Sequence, residues 1–451
     1  MSKGLSTSAA PHILLVNPWI HDFAAYDFWA KPLGLLSLAG ILRAHDCRVS
    51  YLDCLDRFHP RMPRTAARGR HGRGPFRKSI IPKPSQFHDV RRRFARYGID
   101  PDWFREDLGR LPTPDLVLVT SGMTYWYTGV RETIARVKQV FPRAPVVLGG
   151  VYATLCPDHA RRWSGADEVF TGPAEPTLME LLHAHTGWTA ARRFAPDDLD
   201  TYPFPALDLQ RRIPYAPLLT SRGCPFACAY CASHLLEPRR MHRSPVSVVE
   251  EIAHWHRGGG VSDFVLYDDA FLENPEGHAL PVLEAIVRGG MPVRFHTPNA
   301  LHIRGVTAET ARLLFAAGFT TLRFGLETAE FERRGGLDHK VTAPEFDRAA
   351  RALKGAGFAD GQIGAYLLVG LPGQETAAII RSIDVVKRAG IAPILTYYSP
   401  IPGTRLWGEA VAASRYDLAS DPLYTNNAVL PCRKEPFDWQ WMSEMKRRVN
   451  A

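Results

Sequence analysis

Leu-Thr-Ser-Arg-Gly-Cys-Pro-Phe-Ala-Cys-Ala-Tyr-Cys-Ala-Ser, residues 219–233, sets three cysteines at C-x3-C-x2-C spacing: Cys224, Cys228 and Cys231. The next cysteine is Cys432, far down the chain. Three thiolates suit a [4Fe–4S] cluster in which one iron lacks a protein ligand. An open position on a metal points to chemistry, because structural sites close their shell. Leu218-Leu219-Thr220 reads as the end of a buried strand, and Gly223 and Pro225 break it into a loop that can turn thiolates inward. Zinc is a second reading, with His234 as the fourth ligand. A disulfide is a third, and it leaves one cysteine over.

Downstream, strand and helix patterns alternate. Phe264–Tyr267, Val293–His296, Thr321–Gly325, Ile363–Val369 and Ile394–Tyr398 are apolar runs ending in polar or glycine-rich turns. With the strand before the cysteines they give six βα units, a partial parallel barrel spanning residues 218–404. Polar groups at the carboxyl ends of barrel strands are where catalysis sits. Asp268, Asp269, Glu327, Gly370, Tyr398, His296 and Asn299 fall at such ends. Residues 405–451 are a tail with Trp407, Trp439 and Trp441, read as a cap on the open side of the barrel.

Upstream, His12–Val16, Cys47–Leu52, Leu116–Thr120, Val146–Leu148 and Glu168–Phe170 are short apolar strands with helices between them at Leu33–Ala44 and Val130–Val140. This α/β alternation with strands buried on both faces predicts a doubly wound parallel sheet over residues 11–185. Such sheets bind ligands beyond the carboxyl ends of their strands. The candidates there are Asn17, Ser121, Gly149, Gly150, Thr171, Gly172 and Glu175. Tyr125-Trp126-Tyr127 reads equally as a wall for a ligand or as helix packing. Residues 186–217, rich in proline, are read as a linker.

C-x3-C-x2-C with Tyr230 before the third cysteine resembles the signature of the radical S-adenosylmethionine (radical SAM) enzymes. The resemblance implies that the open iron binds S-adenosylmethionine and cleaves it reductively to a 5′-deoxyadenosyl radical. It implies that Asp268 and Asp269 lie where members hold the amino group, and that Glu327, in Gly-Leu-Glu-Thr, meets the ribose hydroxyls. It implies that the strand Gly364–Gly370 meets the adenine, with Tyr230 and Tyr398 as ring contacts. Pro32-Leu33-Gly34-Leu35, Leu38-Ala39, Leu42, Val49, Asp53, Gly149-Gly150 and the Gly172–Leu178 stretch resemble the cobalamin-binding domain that precedes the barrel in one radical SAM class. The D-x-H-x-x-G motif that brings a histidine to cobalt is missing: His21-Asp22 has the reverse order. Cobalamin would therefore be bound without a histidine below the metal.

Composition narrows the class further. With 451 residues the chain can hold two or three domains. Seven cysteines, three of them in one motif, favour a reducing compartment. No leader and no run of about 20 apolar residues is visible, so a cytoplasmic protein without a membrane span is expected. The net charge of +9 is concentrated in an insertion at residues 57–97, where Asp89 is the one acid between Arg57 and Arg96. That run reads first as a solvated arginine-rich surface and second as a nucleic-acid surface. The reading that results is a cobalamin-dependent radical SAM methyltransferase acting on an unactivated carbon of a small molecule. An electron donor such as flavodoxin or ferredoxin would serve it. A cyclase or rearrangement enzyme of the same build is the alternative, and a nucleic-acid-binding protein the third reading.

Overall fold

The apolar runs bounded by turn residues form strands, and the helical periods between them form the crossovers of two parallel sheets. A computed structural model describes residues 9–63, 69–299, 301–434 and 438–450; residues 64–68 of the expected insertion and 435–437 of the tail lie outside the described residues. The chain divides into two units. One comprises the chain to Lys83 together with Arg93–Ile213; the other comprises Pro84–Arg92 and Pro214 onward.

The first unit holds β1 (His12–Asn17), α1 (Leu33–Ala44), β2 (Arg48–Asp53), β3 (Leu116–Val119), α2 (Tyr127–Val140), β4 (Val146–Leu148), β5 (Glu168–Val169) and α3 (Leu178–Thr186). The strands are parallel in the order β5-β4-β3-β1-β2. The chain leaves β1 toward one side and returns on the other, so the switch point, where open α/β sheets bind ligands, lies between β1 and β3. Every residue of β1 is buried, as a central parallel strand requires.

The basic insertion is not the solvated run expected from its composition. Lys78–Ile80 and Ala95–Tyr97 pair with Ile20–Asp22 in an antiparallel sheet. Phe76, Phe94 and Tyr97 are buried. Several of its arginines are spent on ion pairs: Arg57 with Asp27 at 3.1 Å, Arg77 with Asp100 at 2.9 Å and Arg96 with Glu132 at 2.8 Å. Arg57 and Asp27 are both buried; besides their pairing, Asp27 accepts from Trp29 N and Ala30 N, and Arg57 donates to Gly72 O.

The second unit holds β6 (Ala216–Leu218), α4 (Pro245–Gly259), β7 (Asp263–Leu266), α5 (Leu280–Gly289), β8 (Arg294–His296), α6 (Ala308–Ala316), β9 (Phe319–Glu327), α7 (Ala343–Gly355), β10 (Ile363–Val369), α8 (Thr376–Arg388) and β11 (Ala392–Tyr397). The strands lie in sequence order, every pair parallel, as a curved partial barrel does. Helix α4 is capped by Ser244, which accepts from Ser247 N; Pro245 follows, and Gly260 ends the helix at φ +64°. Helix α9 (Trp439–Asn450) packs on α8 and on the edge strand β11, where the Tyr397 hydroxyl meets Met442 Sδ at 3.0 Å. No helix among the described residues is long and apolar enough to cross a membrane.

Candidate active site

The cysteine loop leaves β6 through Gly223, whose φ of +78° suits glycine; a Cβ there would sit 2.4 Å from the Arg239 carbonyl. Three hydrogen bonds fix the far side of the loop. Ala229 N donates to Leu337 O at 2.8 Å, Leu406 N donates to Ala229 O at 2.9 Å, and the Arg405 guanidinium donates to Ala227 O at 2.8 Å. Cys228 is buried, Cys224 and Cys231 are half-buried, and all three are free thiols. Burial pushes the Cys224 thiol up to about 11, and Asp269 and Cys231 push it the same way. Cys228 is likewise raised, by burial first and by Cys231 and Asp338 as well, against Lys340. The thiols thus sense one another's charge, and bare thiolates here are disfavoured until a cation gathers them.

Beside the loop sits a buried triad. Glu327 ends β9 at φ +61°, an uncommon backbone for a residue with a Cβ. Its carboxylate accepts from the Tyr230 hydroxyl at 3.0 Å and lies 3.5 Å from the Lys340 ammonium. Lys340 in turn donates to the Tyr230 oxygen at 2.9 Å. Burial raises the Glu327 pKa, with Lys340 and Tyr230 opposing it. Burial alone would lower Lys340, but Glu327 and Cys228 outweigh it, so the ammonium stays charged. Lys340 had no signal in the sequence. It stands alone in an irregular loop between β9 and α7, where no spacing marks a function.

The other barrel residues named from the sequence divide sharply. Asp268 is buried and accepts from Thr220 Oγ1 and Ser221 Oγ, each at 2.6 Å, and from Thr220 N at 3.1 Å. It clamps the start of the cysteine loop. Its neighbour Asp269 is exposed and hydrogen-bonds Ser233. Gly370 has φ +90° and donates its N–H to Gln374 Oε1 at 2.7 Å, a turn role. Tyr398 lies among Ala229, Leu406, Leu418 and Cys432 behind the loop, its hydroxyl without a partner among the described residues. His296, expected at the rim, is instead wholly buried between Asp263 at 2.9 Å and Thr321 at 3.0 Å. Buried donors and acceptors need partners, and those two fill both ring nitrogens. Asn299 donates to Tyr267 O at 2.8 Å and ties two strand ends together.

In the first unit a slot of about 170 Å³ opens at the carboxyl ends of β3, β4 and β5. Gly34, Gly149, Gly150, Gly172, Phe170 and Glu175 are among its walls. At Gly34, Gly149 and Gly172 a Cβ would meet nothing within 4 Å, so the three glycines leave open room. Gly150 differs: φ is +90° and a Cβ would lie 2.5 Å from Ser121 O. Ser121 supports the turn, its hydroxyl donating to Gly149 O at 2.6 Å and accepting from Tyr152 N at 3.1 Å. Thr171 is exposed at the end of β5. Asn17 is occupied by Asp53 at 2.7 Å, and His21 by Glu132 at 3.2 Å. Trp126 donates to Asp22 at 2.7 Å, while Tyr127 stacks on Tyr152, which fits the packing reading of that aromatic run.

A family model described as the radical SAM superfamily matches residues 218–386, and one described as the B12 binding domain matches residues 89–182. The chain carries a radical SAM domain behind a B12-binding one. An uncharacterized methyltransferase of Pyrococcus horikoshii is 25% identical over 328 residues, 66% of this chain and 70% of that one. Cytidylyl-2-hydroxyethylphosphonate methyltransferase of Streptomyces wedmorensis is 22% identical, across 88% of this chain and 81% of its own. Among solved structures, the radical SAM methyltransferase TsrM from Kitasatospora setae superposes with a TM-score of 0.66 at 19% identity, covering 90% of this chain and 78% of TsrM. TsrM was solved with tryptophan and a SAM analogue, and also with cobalamin and a [4Fe–4S] cluster.

The residues of this radical SAM chain fit those groups. Three thiols on one loop with no fourth cysteine nearby suit a cluster with an open iron. A buried ammonium beside the thiols suits a carboxylate, and a buried carboxylate on a strained strand end suits a diol. The slot is too small for a whole corrin but suits one flat arm of a large ligand, taken up by glycine backbone.

Proposed function

We propose that this protein is a cobalamin-dependent radical SAM methyltransferase that methylates an unactivated carbon of a small molecule. The observation that carries the reading is the pairing of two sites on one chain. The three-thiol loop stands beside Glu327 and Lys340, and the glycine-lined slot stands at the carboxyl ends of β3, β4 and β5 in the B12-binding unit. The chemistry these groups supply when bound is one-electron cleavage of a sulfonium and carriage of a methyl group.

The chain's own residues bind and orient. Cys224, Cys228 and Cys231 hold iron. Asp268 fixes the loop start, Leu337 and Leu406 fix its back, and Asp269, exposed beside Ser233, is the carboxylate for an amino group. Lys340 receives the carboxylate of S-adenosylmethionine and Glu327 its ribose hydroxyls, with Tyr230 holding both side chains in place. Gly149, Gly150 and Gly172 would line the site for cobalamin. The relatives' names support methyl transfer, and the need for one electron supports a donor of the flavodoxin or ferredoxin kind.

Anaerobic reconstitution with iron, sulfide and hydroxocobalamin tests the reading. The expected products from S-adenosylmethionine are 5′-deoxyadenosine and S-adenosylhomocysteine. 5′-Deoxyadenosine alone, with cobalamin bound, would favour the cyclase or rearrangement alternative.

A further inference from the structure

Residues 84–92 come from the insertion of the B12-binding unit, yet they are built into the barrel unit. Phe87 is fully buried there. Its ring meets Tyr416 and Tyr424 edge-on, each at 6.1 Å, and those two rings stack on each other at 5.1 Å. Asp89, the one acid of the basic run, accepts from the Tyr416 hydroxyl at 2.8 Å and lies 3.7 Å from Arg415. Arg415 binds the carbonyls of Val429 and Leu430 at 2.7 and 2.9 Å, so it gathers the tail around the segment. Gln86 donates to Asp421 at 3.1 Å, and Arg92 to Ala428 O at 2.8 Å. Side chain after side chain in this short segment is spent on residues 415–430.

The tyrosine pair leads to the cysteine loop. Tyr416 and Tyr424 pack against one apolar cluster that contains Ala229, Leu406 and Tyr398, and Tyr230 packs on the same cluster. Ala229 and Tyr230 lie between Cys228 and Cys231. Interiors are close-packed and transmit displacement, so removing the ring at one end of this stack shifts the groups at the other.

We propose that Phe87 is a positioning residue for the cysteine loop, acting through the Tyr416–Tyr424 pair. The insertion thus supplies the radical unit with a part of its site that residues 214–451 lack. This rests on the radical SAM reading above, and it goes beyond it by tying the insertion to the cluster.

The test uses the full chain, reconstituted anaerobically with iron and sulfide. Wild type, Phe87→Ala and Phe87→Leu are compared by iron release to a chelator. The spectrum of the reduced cluster is also compared with and without S-adenosylmethionine, and cobalamin absorbance checks that the first unit stays folded. Phe87→Ala is expected to release iron about tenfold faster and to lose much of the spectral response, with cobalamin uptake unchanged. Phe87→Leu, which keeps apolar bulk in the socket, is expected to stay within about twofold of wild type. Equal release in all three proteins overturns the proposal. So does a loss that Phe87→Leu shares in full, or one that comes with lost cobalamin uptake, since Phe87 would then hold the fold and not the loop. A wild-type chain that takes up no iron overturns the underlying reading, and the proposal with it.

Discussion

The cysteine loop and the glycine slot, the two proposed cofactor sites, are built by opposite means. The loop binds with side chains: three thiols, an ammonium, a carboxylate and a phenol, packed so tightly that burial pushes Cys224 up to about 11. The slot binds by omission, with side chains missing at Gly34, Gly149 and Gly172 and open space left in their place. A site made of side chains fails when a group is removed. A site made of absences fails when a group is added.

That contrast can be broken or sharpened by substitution. The largest effect belongs to Cys224→Ala, which is expected to abolish the iron–sulfur absorbance while cobalamin uptake persists; a full cluster in that variant would remove the ligand assignment. Next comes Lys340→Ala, which leaves Glu327 buried without its cation. The apparent KM for S-adenosylmethionine is expected to rise by about a hundredfold or more, in line with about 3 kcal/mol for breaking a buried pair. In the slot the two neighbouring glycines should behave differently. Gly150→Ala forces a Cβ to 2.5 Å from Ser121 O at φ +90°. A loss of about 1–3 kcal/mol, read as a lower melting temperature, is expected. Gly149→Val meets open space, so the melt is expected to hold while cobalamin affinity falls about tenfold. The smallest effect is in pH. Because the Cys224 thiol is raised, it is protonated in the metal-free protein at neutral pH, and iron binding must expel that proton. Iron affinity is therefore expected to climb as pH rises from about 6 to 8, and cobalamin affinity to stay nearly flat, as titration of each ligand at several pH values would show.

Legibility followed the same divide. The three cysteines declare themselves because ligands on one loop must be close in sequence. The alternating elements of both sheets were readable from buried runs and turn residues, and the parallel order β5-β4-β3-β1-β2 fits them. Glu327 was visible at the end of β9, but Lys340 was not, since an irregular loop carries no period. His296 went astray because a three-residue strand cannot declare which face its last side chain takes. The insertion misled by composition: Arg57, Arg77 and Arg96 look solvated in sequence, and their partners Asp27, Asp100 and Glu132 become apparent only once the chain is folded. Phe87 carries no signal in the sequence for the same reason, its tyrosine partners Tyr416 and Tyr424 being hundreds of residues away.

The proposed chemistry turns on an iron that the three thiolates would leave open for S-adenosylmethionine. Electron paramagnetic resonance of the reduced, reconstituted chain tests this directly. A [4Fe–4S] signal that shifts when S-adenosylmethionine is added, and returns when it is removed, is the predicted result. A signal that S-adenosylmethionine leaves untouched, or zinc in place of iron in the protein as isolated anaerobically, would contradict it.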